Sequence, residues 1–152
     1  MKINPPAYAW VILAALLTIT GKVVADQFKD IGDAVIHYNA VTTDFFDPNI
    51  AKLYGIKRSK NRALLTVTVL KKNMGLAALP VKAKIDAMVV NLSNQITHLN
   101  LREITDVTDG GAIYYIAEFP VSNEETFDIT MRIEPEGGTE HTLSFRQQFY
   151  AD

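Results

Sequence analysis

Apolar and polar residues alternate with a period of two along most of the chain beyond residue 33. In segment 126–134 every second residue is large and apolar, namely Phe127, Ile129, Met131 and Ile133. Segment 111–121 is rich in β-branched and aromatic residues and lies between turn-forming sequences, as expected of a strand inside a sheet. Strict period 2 with one polar face indicates an antiparallel sheet, because parallel strands are usually buried on both faces.

Turn-forming residues divide the chain into six or seven predicted strands. They cover segments 34–41, 63–71, 81–92, 95–105, 111–121 and 127–134, with a last strand that contains Leu143, Phe145 and Phe149. This number of short strands in about 120 residues predicts an all-β, antiparallel two-sheet sandwich of the immunoglobulin-like type. The alternative is a small up-and-down barrel, since four consecutive strands are compatible with a meander.

One short helix is expected after the first strand. Asp47 is suited to cap its N-terminus, Pro48 to its first position and Gly55 to the left-handed residue beyond its end. The apolar residues Ile50, Leu53 and Tyr54 have helical spacing, which predicts that one side of the helix packs on the sandwich.

The first 25 residues have the pattern of a secretory signal peptide. Lys2 precedes an apolar run of 13 residues, Ala7 to Ile19, and Val23-Val24-Ala25 predicts cleavage after Ala25. A membrane anchor is the alternative, but the run is shorter than the ~18–20 residues that span a bilayer. We therefore expect a periplasmic protein in which residues 26–152 form a single domain without a transmembrane segment.

Composition narrows the possible functions. The chain has no Cys, so an exported form has no disulfide and depends on its apolar core. Without Lys2 and Lys22, 13 basic residues remain against 17 acidic ones, a net charge of −4. This charge argues against binding to nucleic acid, whose backbone attracts basic proteins.

Several segments resemble a family of exported Gram-negative proteins known as domain of unknown function 4426. The similar segments are HYNAV (37–41), AKLYGIKRSKNRALLTVTVLKK (51–72), REI (102–104), AIYYIAEF (112–119) and RQQFY (146–150). The resemblance implies a small, β-rich periplasmic domain, and it implies no activity, substrate or catalytic residue.

The residues that most often carry catalysis form no recognisable motif. His37, His98 and His141 lie on three different predicted strands, so they are only a weak candidate for a metal site. None of the serines lies in a nucleophile elbow, although a convergent triad is recognised by geometry and not by sequence order. We expect no cofactor and no enzymatic activity, and a hydrolase with a convergent site is the least favoured alternative.

Two surfaces are candidates for binding. The first is a basic segment that follows the helix and contains Lys57, Arg58, Lys60 and Arg62. Its lysine and arginine side chains can bind an acidic partner, a phosphate head group or a carboxylate. Alternatively they only keep a sheet edge soluble, or Arg62 pairs with an acid inside the fold.

The second candidate surface is the predicted outward face around Tyr114 and Ile116. Aromatic, aliphatic and arginine side chains together are typical of binding hot spots, and the expected companions are Arg102, Arg132, Arg146 and Tyr150. Alternatively the helix and the loop at 42–54 cover this face, or it forms a homodimer contact. The resulting hypothesis is a non-enzymatic module that binds another periplasmic or envelope protein. A small-ligand or metal-binding protein, with His37 or His141 at one end of the sandwich, is the second hypothesis.

Overall fold

The structure is a computed structural model, and it describes residues 27–73, 76–106 and 111–152. The predicted signal peptide, its cleavage site after Ala25 and the turn at Asp109–Gly110 lie outside these residues.

The described residues form ten strands in two antiparallel sheets. The first sheet has the order β1-β2-β3-β8-β7, with β4 also paired to β3, and the second has the order β10-β9-β5-β6. The strands are β1 (Gln27–Asp30), β2 (Ala34–Thr42), β3 (Arg62–Asn73), β4 (Leu76–Pro80), β5 (Ala83–Asn91), β6 (Ile96–Leu99), β7 (Arg102–Asp106), β8 (Ala112–Pro120), β9 (Thr126–Pro135) and β10 (His141–Gln148). The predicted two-sheet sandwich is confirmed. The alternative of a small up-and-down barrel is wrong, because the strands form two separate sheets.

The strand count exceeds the predicted six or seven for identifiable reasons. The short strands β1 and β4 carry too little alternation to stand out in the sequence. The predicted strand at 95–105 is two strands, because the chain leaves the second sheet after Leu99 and enters the first sheet at Arg102. Apolar residues continue through this crossing, at Leu99 and Leu101, so periodicity does not mark it.

The main core lies between the two sheets and follows the predicted alternation. Ala63, Leu65, Val67 and Val69 of β3 and Phe127, Ile129, Met131 and Ile133 of β9 are all buried there. Phe119, Phe127 and Phe149 pack edge to face at one end, with ring centroids 5.5 to 6.1 Å apart.

A hydrogen bond from the second sheet to a tyrosine of the first also joins the two layers. The backbone N–H of Ala83 in β5 donates to the Tyr115 hydroxyl in β8 at 2.9 Å, and that hydroxyl donates to Glu103 Oε2 at 3.2 Å. Burial raises the pKa of Tyr115 above its ordinary value, so the hydroxyl keeps its proton.

The predicted helix is confirmed as α1 (Pro48–Leu53), which follows a single 3₁₀ turn at Thr43–Phe45. The Asp47 carboxylate accepts hydrogen bonds from the N–H groups of Asn49 at 2.8 Å and Ile50 at 3.4 Å. Gly55 has φ of 62° just past the helix end, a conformation that favours glycine. The helix therefore begins and ends where its sequence predicts, but the predicted packing side is wrong for Leu53, which is 71% exposed, and Ala51 is the buried residue instead.

Candidate ligand groove

A second apolar cluster lies on the outer face of the first sheet, beneath α1. Its buried members are Ala51, Ile56, Leu64 and Ile116, with Phe46, Tyr54, Ile104 and Tyr114 packed around them. Ile116 is only 4% exposed, so the alternative of an exposed binding hot spot at this residue is not the one found. The alternative, in which the helix and its loop cover this face, is the arrangement found.

The cluster leaves a cavity of about 200 Å³ between α1 and the sheet. Apolar and aromatic side chains of α1, β3, β7 and β8 line most of it. The polar groups at its edge are the Thr66 hydroxyl on β3 and the Asp106 carboxylate on β7, which accepts a hydrogen bond from the Tyr54 hydroxyl. We call this space the α1 cavity.

A second cavity of about 270 Å³ adjoins the α1 cavity, because Thr66 and Tyr114 line both. Its other lining residues come from β2 and β3, namely His37, Tyr38, Asn39, Thr68 and Leu70, and three of them carry polar groups. The two cavities together are called the outer groove below. It has an apolar end under α1 and a second end where an imidazole, an amide and a hydroxyl join an apolar lining.

Two of the three arginines expected beside Tyr114 lie on the other sheet. Arg132 and Arg146 project from β9 and β10 of the second sheet and pair with acids there. Arg146 contacts both carboxylate oxygens of Asp128, at 2.7 and 2.8 Å, and this hydrogen bonding lowers the pKa of Asp128 and raises that of Arg146. Only Arg102 shares the groove face, where it donates to the backbone oxygen of Tyr54.

The basic segment is partly engaged in the fold. The Nε atom of Arg62 lies 3.1 Å from Glu118 Oε2, which confirms the alternative of an internal ion pair for this residue. Arg58 donates to the backbone oxygen of Asp44 at 2.8 Å, and Lys60 donates to the backbone oxygen of Asp152. Lys57, Arg58 and Lys60 remain exposed.

The three histidines do not converge. His37 lies on the first sheet, whereas His98 and His141 lie on β6 and β10, the opposite edges of the second sheet. In the part of the chain that the structure describes, no group of three His, Asp or Glu residues has a geometry that holds a metal ion. The weak metal hypothesis for His37, His98 and His141 is therefore wrong in the form that joins all three.

The sequence analysis does not identify the groove, although apolar residues at outward strand positions indicate it. Leu64 follows Ala63 and precedes Leu65, so an apolar residue stands on the outward side of β3 where polar residues are expected. Ile104 and Ile116 repeat this exception on β7 and β8. Because β7 and β8 are neighbours and β8 pairs with β3, the three exceptions lie on one face.

Fold and groove together define a β-sandwich protein with an apolar groove on one outer face. The chain belongs to the DUF4426 family, Domain of unknown function, whose profile matches residues 28–152. A DUF4426 family protein from Pseudomonas aeruginosa PAO1 has a crystal structure with 31% identity and a TM-score of 0.70. The match covers 84% of this chain and 96% of that chain.

A more distant solved structure shares the fold alone. FetP from uropathogenic E. coli strain F11, crystallised after expression in the periplasm, has 12% identity and a TM-score of 0.59 over 84% of this chain and 95% of that chain. No curated protein matches the chain in sequence. Among the described residues, no helix combines the length and the apolar character that crossing a bilayer requires.

Proposed function

We propose that the chain is a non-enzymatic binding protein of the periplasm and that the outer groove is its ligand site. The ligand carries one aromatic or branched aliphatic group, which enters the α1 cavity. Its polar part extends along β3 and β2, toward Thr68, Asn39 and His37. The proposed ligand is therefore an amphipathic small molecule or an exposed side chain of a short peptide.

The observation that carries this proposal is the difference in chemistry between two cavities that share Thr66 and Tyr114. Apolar side chains line most of the cavity under α1, and the other cavity adds the side chains of His37, Asn39 and Thr68. A ligand site typically combines an apolar pocket with a few polar groups that fix orientation. The α1 cavity is smaller than the ~300–1,000 Å³ of drug-sized sites, so it suits a single ring or branched chain.

Binding is favoured over catalysis by the positions of the reactive side chains. Within the described residues, no serine hydroxyl is hydrogen-bonded to a histidine, and Ser144 instead contacts the Thr130 hydroxyl at 3.0 Å. The Thr139 hydroxyl lies 3.3 Å from His141 Nε2, but this pair is exposed and lines neither cavity of the outer groove. A nucleophile without a base in reach lacks the activation that hydrolysis needs. A periplasmic location is supported by the predicted signal peptide and by the likeness to FetP, which was expressed in that compartment.

The proposal is tested with 1-anilinonaphthalene-8-sulfonate, a fluorescent aromatic amphiphile, titrated into the purified exported protein. Thr66 lies where the two cavities meet, so Thr66→Phe should fill the junction and abolish the fluorescence increase. The matched control is Thr130→Phe, which adds the same ring to the outer face of the second sheet at a different cavity. This control should bind the dye as the wild type does.

Equal dye binding by both variants, or none by the wild type, would overturn the assignment of the outer groove. If the proposal holds, a fragment screen by protein-detected NMR should shift amide resonances of β3 and β8 first. The same screen on Thr66→Phe should lose those shifts.

A further inference from the structure

Two large apolar side chains are strongly exposed on the segment between β2 and β3. Phe45 of the 3₁₀ turn is 77% exposed and Leu53 of α1 is 71% exposed, whereas Ile50, at 44%, also lines the α1 cavity. They belong to segment 43–60, called the α1 knob below. Exposed apolar residues grouped on a short segment mark an interaction surface more often than scattered ones do.

The α1 knob also concentrates positive charge. It contains Lys52, Lys57, Arg58 and Lys60 against Asp44 and Asp47, a net charge of +2 in a chain whose total is −2. Within the described residues, Lys52, Lys57 and Arg58 form no ion pair with a carboxylate. Their charges are therefore available to a ligand outside the protein.

Hydrogen bonds hold the apolar and cationic parts of the α1 knob side by side. The Thr43 hydroxyl is completely buried, donates to the backbone oxygen of Lys57 at 2.8 Å and accepts from the N–H of Ser59 at 2.9 Å. Arg58 donates to the backbone oxygen of Asp44, the residue before Phe45. The 3₁₀ turn is thereby fixed against the basic segment.

We propose that the α1 knob docks on an anionic lipid bilayer. Phe45 and Leu53 enter the interfacial region, and Lys52, Lys57 and Arg58 contact the head groups. Protruding apolar side chains beside cations are the features by which peripheral segments bind anionic membranes. Phe45 and Leu53 are exposed on two different elements, the 3₁₀ turn and α1, and a fluid bilayer accommodates both, whereas a protein partner needs a matching pocket for each.

The first test uses tryptophan as a local reporter in the form without residues 1–25. The residues that match the family profile, 28–152, all lie within this form. Residues 27–152 contain no Trp, because the single Trp is Trp10. Phe45→Trp should show a blue shift in emission with phosphatidylcholine vesicles that contain phosphatidylglycerol, and none with phosphatidylcholine alone.

The matched control is Leu92→Trp, in the turn between β5 and β6 of the second sheet. Leu92 is 71% exposed, as Leu53 is, but it is not part of the α1 knob. Its emission should not change with either vesicle. An equal shift at both positions, or no shift at Phe45→Trp, would overturn the proposal.

The second test separates the location of charge from its amount. Lys57→Glu with Arg58→Glu should weaken vesicle partitioning by about tenfold or more, since each basic residue near an anionic surface contributes. Lys71→Glu with Lys84→Glu changes the net charge equally at exposed positions outside the knob and should have little effect. The bilayer assignment would be contradicted if both double variants lost vesicle partitioning equally. It would also be contradicted if the α1 knob bound an acidic protein and the wild type bound no vesicles.

Discussion

At the scale of single residues, the aromatic cluster at one end of the core is the most sensitive point of the fold. Phe127 is buried between Phe119 and Phe149, and the chain has no disulfide to compensate for its loss. Phe127→Ala should lower the free energy of unfolding by about 3–5 kcal/mol, because it removes the ring and leaves a cavity. Urea denaturation measures this change. Phe45→Ala, at an exposed ring, is the control and should change stability by less than about 0.5 kcal/mol.

The ion pair between Asp128 and Arg146 should make stability depend on pH in the acidic range. Because hydrogen bonding from Arg146 holds the pKa of Asp128 below its ordinary 3.8, the charged carboxylate favours the folded state. Its contribution is present above pH 3.8 and is lost as the pH falls through the lowered pKa. Asp128→Asn should therefore be less stable than the wild type near neutrality and equal to it in strong acid. A stability difference that stays constant in urea titrations across this range would contradict the assignment.

Individual residues also show where the alternation of the sequence is informative. It correctly placed Tyr115, Phe119 and the apolar residues of β9 in the core, because a period of two leaves only one choice of face. By the same rule it placed Ile116 on the face opposite the main core, where the structure has it, and it left open whether that face is covered. The rule cannot tell an exposed outer face from one that a helix covers, since both are the face opposite the core.

At the scale of elements, α1 covers the α1 cavity, and removing its N-terminal cap should destabilise the helix. Asp47→Ala removes the acceptor for the N–H groups of Asn49 and Ile50 and should cost about 0.5–2 kcal/mol. We expect faster amide hydrogen exchange in α1 and weaker dye binding, with the sandwich intact. Asp47→Ser restores a capping oxygen and should recover most of both. Unchanged exchange in Asp47→Ala would show that packing, and not the cap, holds the helix.

The helix and the strands differ in how well the sequence predicted them. Asp47, Pro48 and Gly55 act locally, through a cap, a fixed φ and a left-handed residue, so the bounds of α1 were predictable. Each half of segment 95–105 pairs with its neighbour in sequence, β6 with β5 and β7 with β8. The segment divides because these two strand pairs lie in different sheets, and the apolar pattern, which continues across the crossing, does not show that change of sheet.

At the scale of the whole molecule, the two sheets give the protein two different outer faces. The first carries the outer groove and the α1 knob, and the second carries the ion pairs of Arg132 and Arg146. This separation could not be predicted from sequence, since assigning a strand to one sheet requires the topology. It also decides which of the sequence-predicted binding residues remain candidates: Lys57 and Arg58 lie on the α1 knob, whereas the two arginines belong to the opposite face.

The last prediction follows from this separation. Arg132→Gln with Arg146→Gln should leave both dye binding and vesicle partitioning within about twofold of the wild type. Stacked sheets lie about 10 Å apart, and charges at that distance are largely screened at physiological ionic strength, where the Debye length is about 8 Å. The same dye titration and a vesicle co-sedimentation assay check this. Loss of either activity in the double variant would mean that the second sheet contributes to binding, and the outer groove and the α1 knob would then be incomplete as sites.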